Sequence, residues 1–316
     1  MKKKVFIAGH NGMVGKALQR VIGNDDYELI TPTHKELDLI NQNEVDIFLR
    51  KTKPDFVYLA AGLVGGIYAN SSHPVEFLYN NSMIQNNVIF SSLKSNVKRL
   101  IFFASSSAYP KFSEQPIKET SLLTGSLEPT NESYSIAKIS GIKLCESINK
   151  QYGSDLGIHY QSLMPSNLYG EGDKYDSLNG HVIPSLIKKI HEAKIKKSDS
   201  VELWGTGKPK REFLYVDDLA EAANFIMRLP QSKLTELPPN LNVGIGIDIT
   251  ISELANYITK IIGFEGNIVF NSNMPDGVPR KILDSSIINQ LGWSSKVGLE
   301  QGIQRTYQSF LKNNWL

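Results

Sequence analysis

Two rhythms of apolar and polar residues alternate along the first two-thirds of the chain. Short, nearly continuous apolar runs at 5–8, 27–30, 56–60, 100–104 and 158–164 predict strands. Between them, stretches at about 13–21, 43–51, 74–95 and 133–152 repeat apolar positions at helical spacing. Strand and helix in alternation imply an α/β fold with a parallel, doubly wound sheet. Strands this apolar suit a sheet covered on both faces. After Tyr169 the texture changes. Residues 171–180 are polar and loop-like, followed by a helix around 181–194 and a strand at 201–204. The run 213–216 reads as a strand entering a helix that opens on Asp217 and Asp218 and ends near Met227, since acids favour a helix start. Strands at 241–243 and 268–271, with short helices, complete a second, smaller α/β lobe. No internal repeat or low-complexity segment interrupts the chain.

Composition narrows the partners. With 316 residues the chain has room for one large or two coupled domains. Its 34 basic against 32 acidic residues leave a net charge of +2, which gives no reason to expect a nucleic-acid surface. One cysteine, Cys145, rules out an intrachain disulfide and a cysteine-rich metal site, and fits a reducing compartment. Its place in a helical pattern predicts a small buried apolar side chain. No apolar run approaches membrane-spanning length, so a cytoplasmic protein without membrane or metal is expected.

The first candidate chemistry follows the first strand. Gly9, Gly12 and Gly15 lie between an apolar run and a helix, with Asn11, Met13 and Val14 in the same turn. Glycines there permit a tight turn and close approach of a pyrophosphate, which the helix amides would bind. This predicts a dinucleotide-binding domain over 1–170 plus about 212–247, and a ligand-binding domain over about 171–211 plus 248–316. The second strand usually ends in an acid that takes the ribose 2′-hydroxyl of NAD. Here no carboxylate occurs until Glu36, so NADP is expected rather than NAD, with His34 or Lys35 at the 2′-phosphate. Tyr134 and Lys138 lie one helical turn apart, so an ammonium beside the phenol is expected to lower a pKa that starts near ~10. A phenol so tuned exchanges a proton with a carbonyl or alcohol, and Ser105, at the end of a neighbouring strand, would hold the same oxygen.

Taken together, these segments resemble the GDP-L-fucose synthase family, the GDP-4-keto-6-deoxymannose 3,5-epimerase-4-reductases of the extended short-chain dehydrogenase/reductase type. The stretches that carry the resemblance are Gly9-His-Asn-Gly-Met-Val-Gly15, Ala60-Ala-Gly-Leu-Val-Gly-Gly-Ile-Tyr-Ala-Asn70, Ser105-Ser-Ser-Ala-Tyr-Pro110, Leu127-Glu-Pro-Thr-Asn-Glu132 and Tyr134-Ser-Ile-Ala-Lys138. Met164-Pro-Ser-Asn-Leu-Tyr-Gly170, His181-Val-Ile-Pro184, Trp204-Gly-Thr-Gly207, Arg211-Glu-Phe213 and Pro275-Asp-Gly-Val-Pro-Arg-Lys281 follow in the family's order.

The resemblance implies a Rossmann-type fold, NADPH as cofactor, a GDP-sugar substrate and a homodimer formed through helices that include the Tyr-Lys helix. It casts Tyr134 as the acid that protonates O4 and Lys138 as the nicotinamide-ribose ligand. Ser105 would bind the keto oxygen, with Ser106 and Ser107 beside the sugar. Asp38, Leu39, Ala60, Ala61, Gly62, Pro165, Asn167, Leu168 and His181 become further cofactor contacts. Asn167, Lys189, Trp204, Arg211 and Lys281 match positions that hold the GDP-sugar. A diphosphate needs cations or amides, so the basic residues make physical sense. Trp204 stacks on the guanine or is an apolar plug.

The chain also departs from the family pattern. Where the family carries Ser-Ser-Cys, with the cysteine as the base that removes the C3 and C5 protons, this chain has Ser107. A thiol near ~8.5 can be tuned to that task, and an alcohol cannot be without an activating base of its own. His181, the family's partner acid, is kept. The arginines that the family places at the 2′-phosphate are Asn11 and His34 here, and the family's Asp-Asn-Phe reads Asp173-Lys-Tyr175. The expectation is a 4-keto reductase of a GDP-4-keto-6-deoxy hexose or heptose that lacks epimerase activity. The rival readings are a full epimerase-reductase, a dehydratase, and a non-catalytic dinucleotide sensor.

Overall fold

The computed structural model describes residues 2–23, 26–175, 181–274 and 276–313. Residues 176–180 of the polar loop and Pro275 of the last motif lie outside the described residues. The first half runs β1 (Lys3–Ala8), α1 (Met13–Ile22), β2 (Tyr27–Ile30), α2 (Gln42–Thr52), β3 (Phe56–Leu59), α3 (Ile67–Ser72), α4 (Pro74–Lys94), β4 (Arg99–Phe103), α5 (Glu132–Leu156) and β5 (His159–Pro165). Then come β6 (Asn167–Tyr169), α6 (Val182–Ile195), β7 (Ser200–Trp204), β8 (Lys210–Tyr215), α7 (Val216–Arg228), α8 (Gln231–Leu234) and β9 (Asn240–Val243). The chain closes with β10 (Asp248–Thr250), α9 (Ile251–Ile262), β11 (Asn267–Asn271), β12 (Arg280–Lys281), α10 (Ser286–Gln290) and α11 (Leu299–Lys312).

Six strands form one sheet in the order β2-β1-β3-β4-β5-β9, every neighbouring pair parallel. The doubly wound α/β sheet expected from the apolar pattern is therefore present. Except for the partly exposed edge strand β2, the strands bury both faces, which is why alternation is weak in the sequence. Phe6 and Ala8 point into a core built with Leu49 of α2, Val88 of α4 and Ile142 of α5. Val5 and Ile7 point the other way, onto Leu18 of α1 and Leu219 of α7. Cys145 is a free buried thiol in the first of these cores, as expected. Strand order reverses at β1, with β2 on one side and β3 on the other. The crevice at the carboxyl ends of β1 and β3 is the place where such sheets take ligands.

A second layer is built on β8, which pairs β10 antiparallel and β12 and β6 in parallel, while β7 and β11 form a separate parallel pair. Its core joins Phe213 and Tyr215 to Ile187 of α6, Ile258 of α9 and Phe310 of α11. Glu212 knits the two layers together. Fully buried, its carboxylate accepts the backbone N–H groups of Ile245 (2.6 Å), Gly246 (2.7 Å) and Leu283 (2.9 Å). The sequence pattern does not reveal α3, β6, β10 or β12. They are two to six residues long, too short for a periodicity to register.

Candidate active site

The glycine turn is shaped for a dinucleotide. Gly9 has φ +86°, and a Cβ there would lie 2.6 Å from the Ala61 nitrogen. At Gly15 a Cβ would strike the Gly9 carbonyl and lie 2.5 Å from the His10 Cα. The turn can therefore be built only without side chains at these two points. Gly12 caps α1 with no side-chain hydrogen bond, and the first turn of the helix has no acid. Its amides and the positive end of its dipole are left for phosphate, so the residues present fit the pyrophosphate of a dinucleotide. Met13 and Val14 pack sideways onto the core while Asn11 is exposed at the tip. Ala60, Ala61 and Gly62 follow β3 and form the opposite wall.

Beyond β2 the chain turns at 33–36. Glu36 accepts the backbone N–H and the hydroxyl of Thr33, at 2.7 and 2.8 Å, so this carboxylate is committed to its own turn. His34 and Lys35 project from that turn, His34 with an 84 % exposed side chain 4.0 Å from Asp38. The turn feels the charge of His10, which places it beside the glycine turn. Leu39 instead packs on the core under α4, where Asn87 binds its carbonyl at 3.0 Å.

The second cluster forms where β4 ends against α5. Ser105 follows β4 and opens a single turn of 3-10 helix containing Ser106 and Ser107. Ser105 stands close enough to the Tyr134 hydroxyl to pull its pKa down. Phe77 of α4 meets the Tyr134 ring edge-on at 6.1 Å. Lys138 is 4 % exposed, donates from Nζ to the Phe103 carbonyl at 2.9 Å, and lies 5.7 Å from the centroid of the Tyr134 ring. One expectation is corrected here. The Tyr134 pKa is not lowered by its lysine; burial pushes it up to about 12, against a smaller pull from Ser105. The ammonium faces the Phe103 carbonyl and burial brings its own pKa down to about 8. Tyr134 is thus a neutral acid at pH 7, not a phenolate.

Asn81 was not singled out by sequence. Buried on α4, it accepts the Leu63 N–H at 2.9 Å and donates to the Leu63 carbonyl at 3.0 Å. It thereby holds Gly62 against Lys138, where a Cβ on the glycine would lie 3.6 Å from Nζ. The sequence signal was a polar residue on an inward-facing helix position.

Pro165 ends β5 beside Val243 of β9, Leu168 lies half-buried on the second core cluster, and Asn167 donates to the Glu212 carbonyl at 2.9 Å. His181 is the N-cap residue of α6. Its surface is open to solvent, yet the protein around it withdraws enough water to lower its pKa. A helix N-terminus also favours the neutral ring.

The residues expected to hold a GDP-sugar gather on the second layer. Arg211 and Lys281 are register partners on β8 and β12. Burial, helped by the Arg211 charge, brings Lys281 down to about 8, with Glu128 opposing. Two desolvated cations on adjacent strands are a ready site for an anion. Lys189 of α6 lies over the Trp204 ring at 5.8 Å, and Trp204 is 57 % exposed. That exposure favours a stacking surface over an apolar plug. Among the described residues, no group of three or more His, Cys, Asp or Glu stands together as a metal site, and no helix is long and apolar enough to cross a membrane.

Known proteins resemble this chain along its whole length. Residues 5–244 match the NAD dependent epimerase/dehydratase family. The GDP-L-fucose synthase of Escherichia coli (strain K12) is 48 % identical over 317 residues, covering 99 % of this chain and 98 % of that protein. The GDP-L-colitose synthase of Yersinia pseudotuberculosis is 42 % identical, covering 98 % of this chain and 99 % of that one. A solved GDP-mannoheptose C4 reductase from Campylobacter jejuni, with NADP bound, superposes with a TM-score of 0.87 at 36 % identity, covering 98 % of each chain. With a glycine cradle, a Ser-Tyr-Lys cluster and these relatives along its whole length, the chain belongs to the NAD dependent epimerase/dehydratase family, in its GDP-L-fucose synthase group, and is an oxidoreductase.

Proposed function

We propose that this protein is an NADPH-dependent C4-keto reductase of a GDP-4-keto-6-deoxy sugar, hexose or heptose, that works without 3,5-epimerisation. NADP(H) is the cofactor: relatives of this group bind it, and Glu36, the first carboxylate after β2, is tied to Thr33. The main sheet with its helices (about 1–170 plus 212–247) is read as the cofactor lobe, and the rest (about 171–211 plus 248–316) as the lobe for the GDP-sugar. We place the enzyme in the cytoplasm.

When bound, the nicotinamide supplies a hydride to C4. The chain's residues do the remainder. Tyr134, protonated with a pKa of about 12, gives its proton to O4 as charge builds on that oxygen. Lys138, still cationic below about 8, stabilises the phenolate left behind. Arg211 and Lys281 neutralise the diphosphate, Lys189 and Trp204 flank the base, and Asn167 and Ser106 line the sugar.

The observation that carries the reductase-only reading is the state of Ser107. Its hydroxyl donates to Ser105 Oγ at 3.0 Å, another neutral alcohol, so nothing in that bond can deprotonate it. Incubating the 4-keto substrate with enzyme in heavy water, without NADPH, tests the point by NMR. Deuterium entering C3 and C5 rapidly would overturn it, and NADPH oxidation without exchange is expected. One observation favours the bifunctional alternative: His181 is held neutral, and a neutral imidazole can itself accept a proton. Exchange at a single carbon, abolished by His181→Ala, would mark that route.

The finer partner assignment is a homodimer through α4 and α5. Their outer faces enclose an open groove of about 550 Å³ lined by Phe90, Leu144 and Lys143, with Phe90 43 % exposed. Sedimentation of the wild type as a dimer, and of Phe90→Glu as a monomer, is the expected result.

A further inference from the structure

We propose that Ser107 is a positioning residue for the reduction, aiming the Ser105 hydroxyl at the oxygen that Tyr134 protonates. The proposal rests on the reductase reading above and gives a role to the residue that reading leaves without one.

A serine hydroxyl has one proton and two acceptor sites. Both acceptor sites of Ser105 are filled by Ser107, whose backbone N–H donates at 3.2 Å and whose hydroxyl donates at 3.0 Å. The Ser105 proton must then go elsewhere. That leaves the proton free to donate to O4, and the lowering of the Tyr134 pKa by Ser105 sets the two hydroxyls side by side. Hydrogen bonds in such a chain strengthen one another, so Ser107 makes Ser105 a better donor.

Ser107 is itself held in place. It is 8 % exposed, so little water competes for its hydroxyl. Its carbonyl accepts the hydroxyl of Ser135 at 3.0 Å, and Ser135 follows Tyr134 directly on α5. The link therefore runs from the exit of β4 to the catalytic helix and back. Proton bookkeeping is unchanged: C4 gains the hydride, O4 gains the Tyr134 proton, and Ser105 and Ser107 each keep their own.

The test is a double-mutant cycle in the full-length protein with NADPH and the GDP-4-keto sugar. Ser107→Ala should lower kcat roughly 10-fold with KM little changed, as expected when one hydrogen bond to a reacting group loses its support. Ser107→Thr, which keeps the hydroxyl, should recover most of that loss. Ser105→Ala should cost more, and the double variant should be no worse than Ser105→Ala alone, because Ser107 acts through Ser105. Losses that multiply, an unaffected Ser107→Ala, or a Ser107→Ala defect that threonine does not rescue and that follows a fall in melting temperature would each overturn the proposal. A second readout needs no sugar. The ¹³Cζ resonance of Tyr134 senses hydrogen bonding at its oxygen, and it should move in the same sense in Ser107→Ala as in Ser105→Ala. An unmoved resonance in Ser107→Ala would refute the proposal even if the wild type proved inactive on the sugar, whereas a moved resonance with an inactive wild type would discredit only the substrate reading.

Discussion

Restoring a thiol at the third serine, Ser107→Cys, gives the sharpest quantitative expectation. A free thiol near ~8.5 is roughly 3 % thiolate at pH 7, whereas a serine alcohol is never measurably ionised there. The site is nearly buried, with Ser107 8 % exposed, so desolvation will lift the introduced thiol above its free value. Cys145 marks the upper end of that effect in this fold: at 0 % exposure its thiol is pushed up to about 12. At that extreme only on the order of 10⁻⁵ of the thiol would ionise at pH 7. The variant's base strength at neutral pH should thus fall between these limits and grow about tenfold per pH unit until the thiol titrates. The assay is deuterium uptake at C3 and C5 of the 4-keto sugar in heavy water, without NADPH, between pH 6.5 and 9.5. The variant should exchange with a rising pH profile while the wild type does not. A wild type that exchanges as fast as the variant would refute the reasoning. So would a variant that still reduces the ketone but exchanges at no pH, because the missing base would then not be what prevents epimerisation.

Other expectations follow from the same geometry. Tyr134→Phe should lower reduction by roughly 10²–10⁴-fold while NADPH affinity, read by fluorescence, stays within a few-fold, since only the proton donor is lost. Gly15→Ala should abolish NADPH binding in the same titration, because the new methyl would meet the Gly9 carbonyl and the His10 Cα, both backbone atoms that cannot move aside. GDP should bind independently of pH below about 8 and more weakly above it as Lys281 loses its proton, and calorimetry of Lys281→Met should show weaker binding without that slope. Gly302→Ala should destabilise the protein by about 1–3 kcal/mol in urea unfolding through overpacking. The methyl would lie 2.8 Å from Cζ of Tyr169, a ring only 1 % exposed and closed in by Phe213 and Tyr215.

Much of this fold and site is legible before any coordinates. The first-layer strands and helices fall within a few residues of their predicted bounds, because strands buried on both faces and long amphipathic helices leave strong patterns. α5 runs on to Leu156, past its expected end, until Gly157 at φ +60° stops it. The glycine turn, Tyr134, Lys138 and the three serines are visible as motifs because their chemistry depends on residue type and short spacing.

Sequence by itself determined which groups this protein owns: a glycine cradle, a phenol, two desolvatable lysines, and a serine where the family resemblance implies a cysteine. It could not determine their ionisation or their direction, because both are set by neighbours distant in the chain. Adjacency on one helix argued for a lowered tyrosine pKa, yet the strand β4 carbonyl of Phe103 takes the Lys138 ammonium and burial keeps Tyr134 protonated. Asn81 reaches Leu63, Glu212 reaches Leu283, and Lys281 comes beside Arg211 only when the sheets assemble. Those contacts carry no local pattern, since hydrogen bonds and desolvation depend on distance in space. They decide that the tyrosine stays protonated, that Ser107 meets Ser105, and that two desolvated cations stand side by side on the second layer.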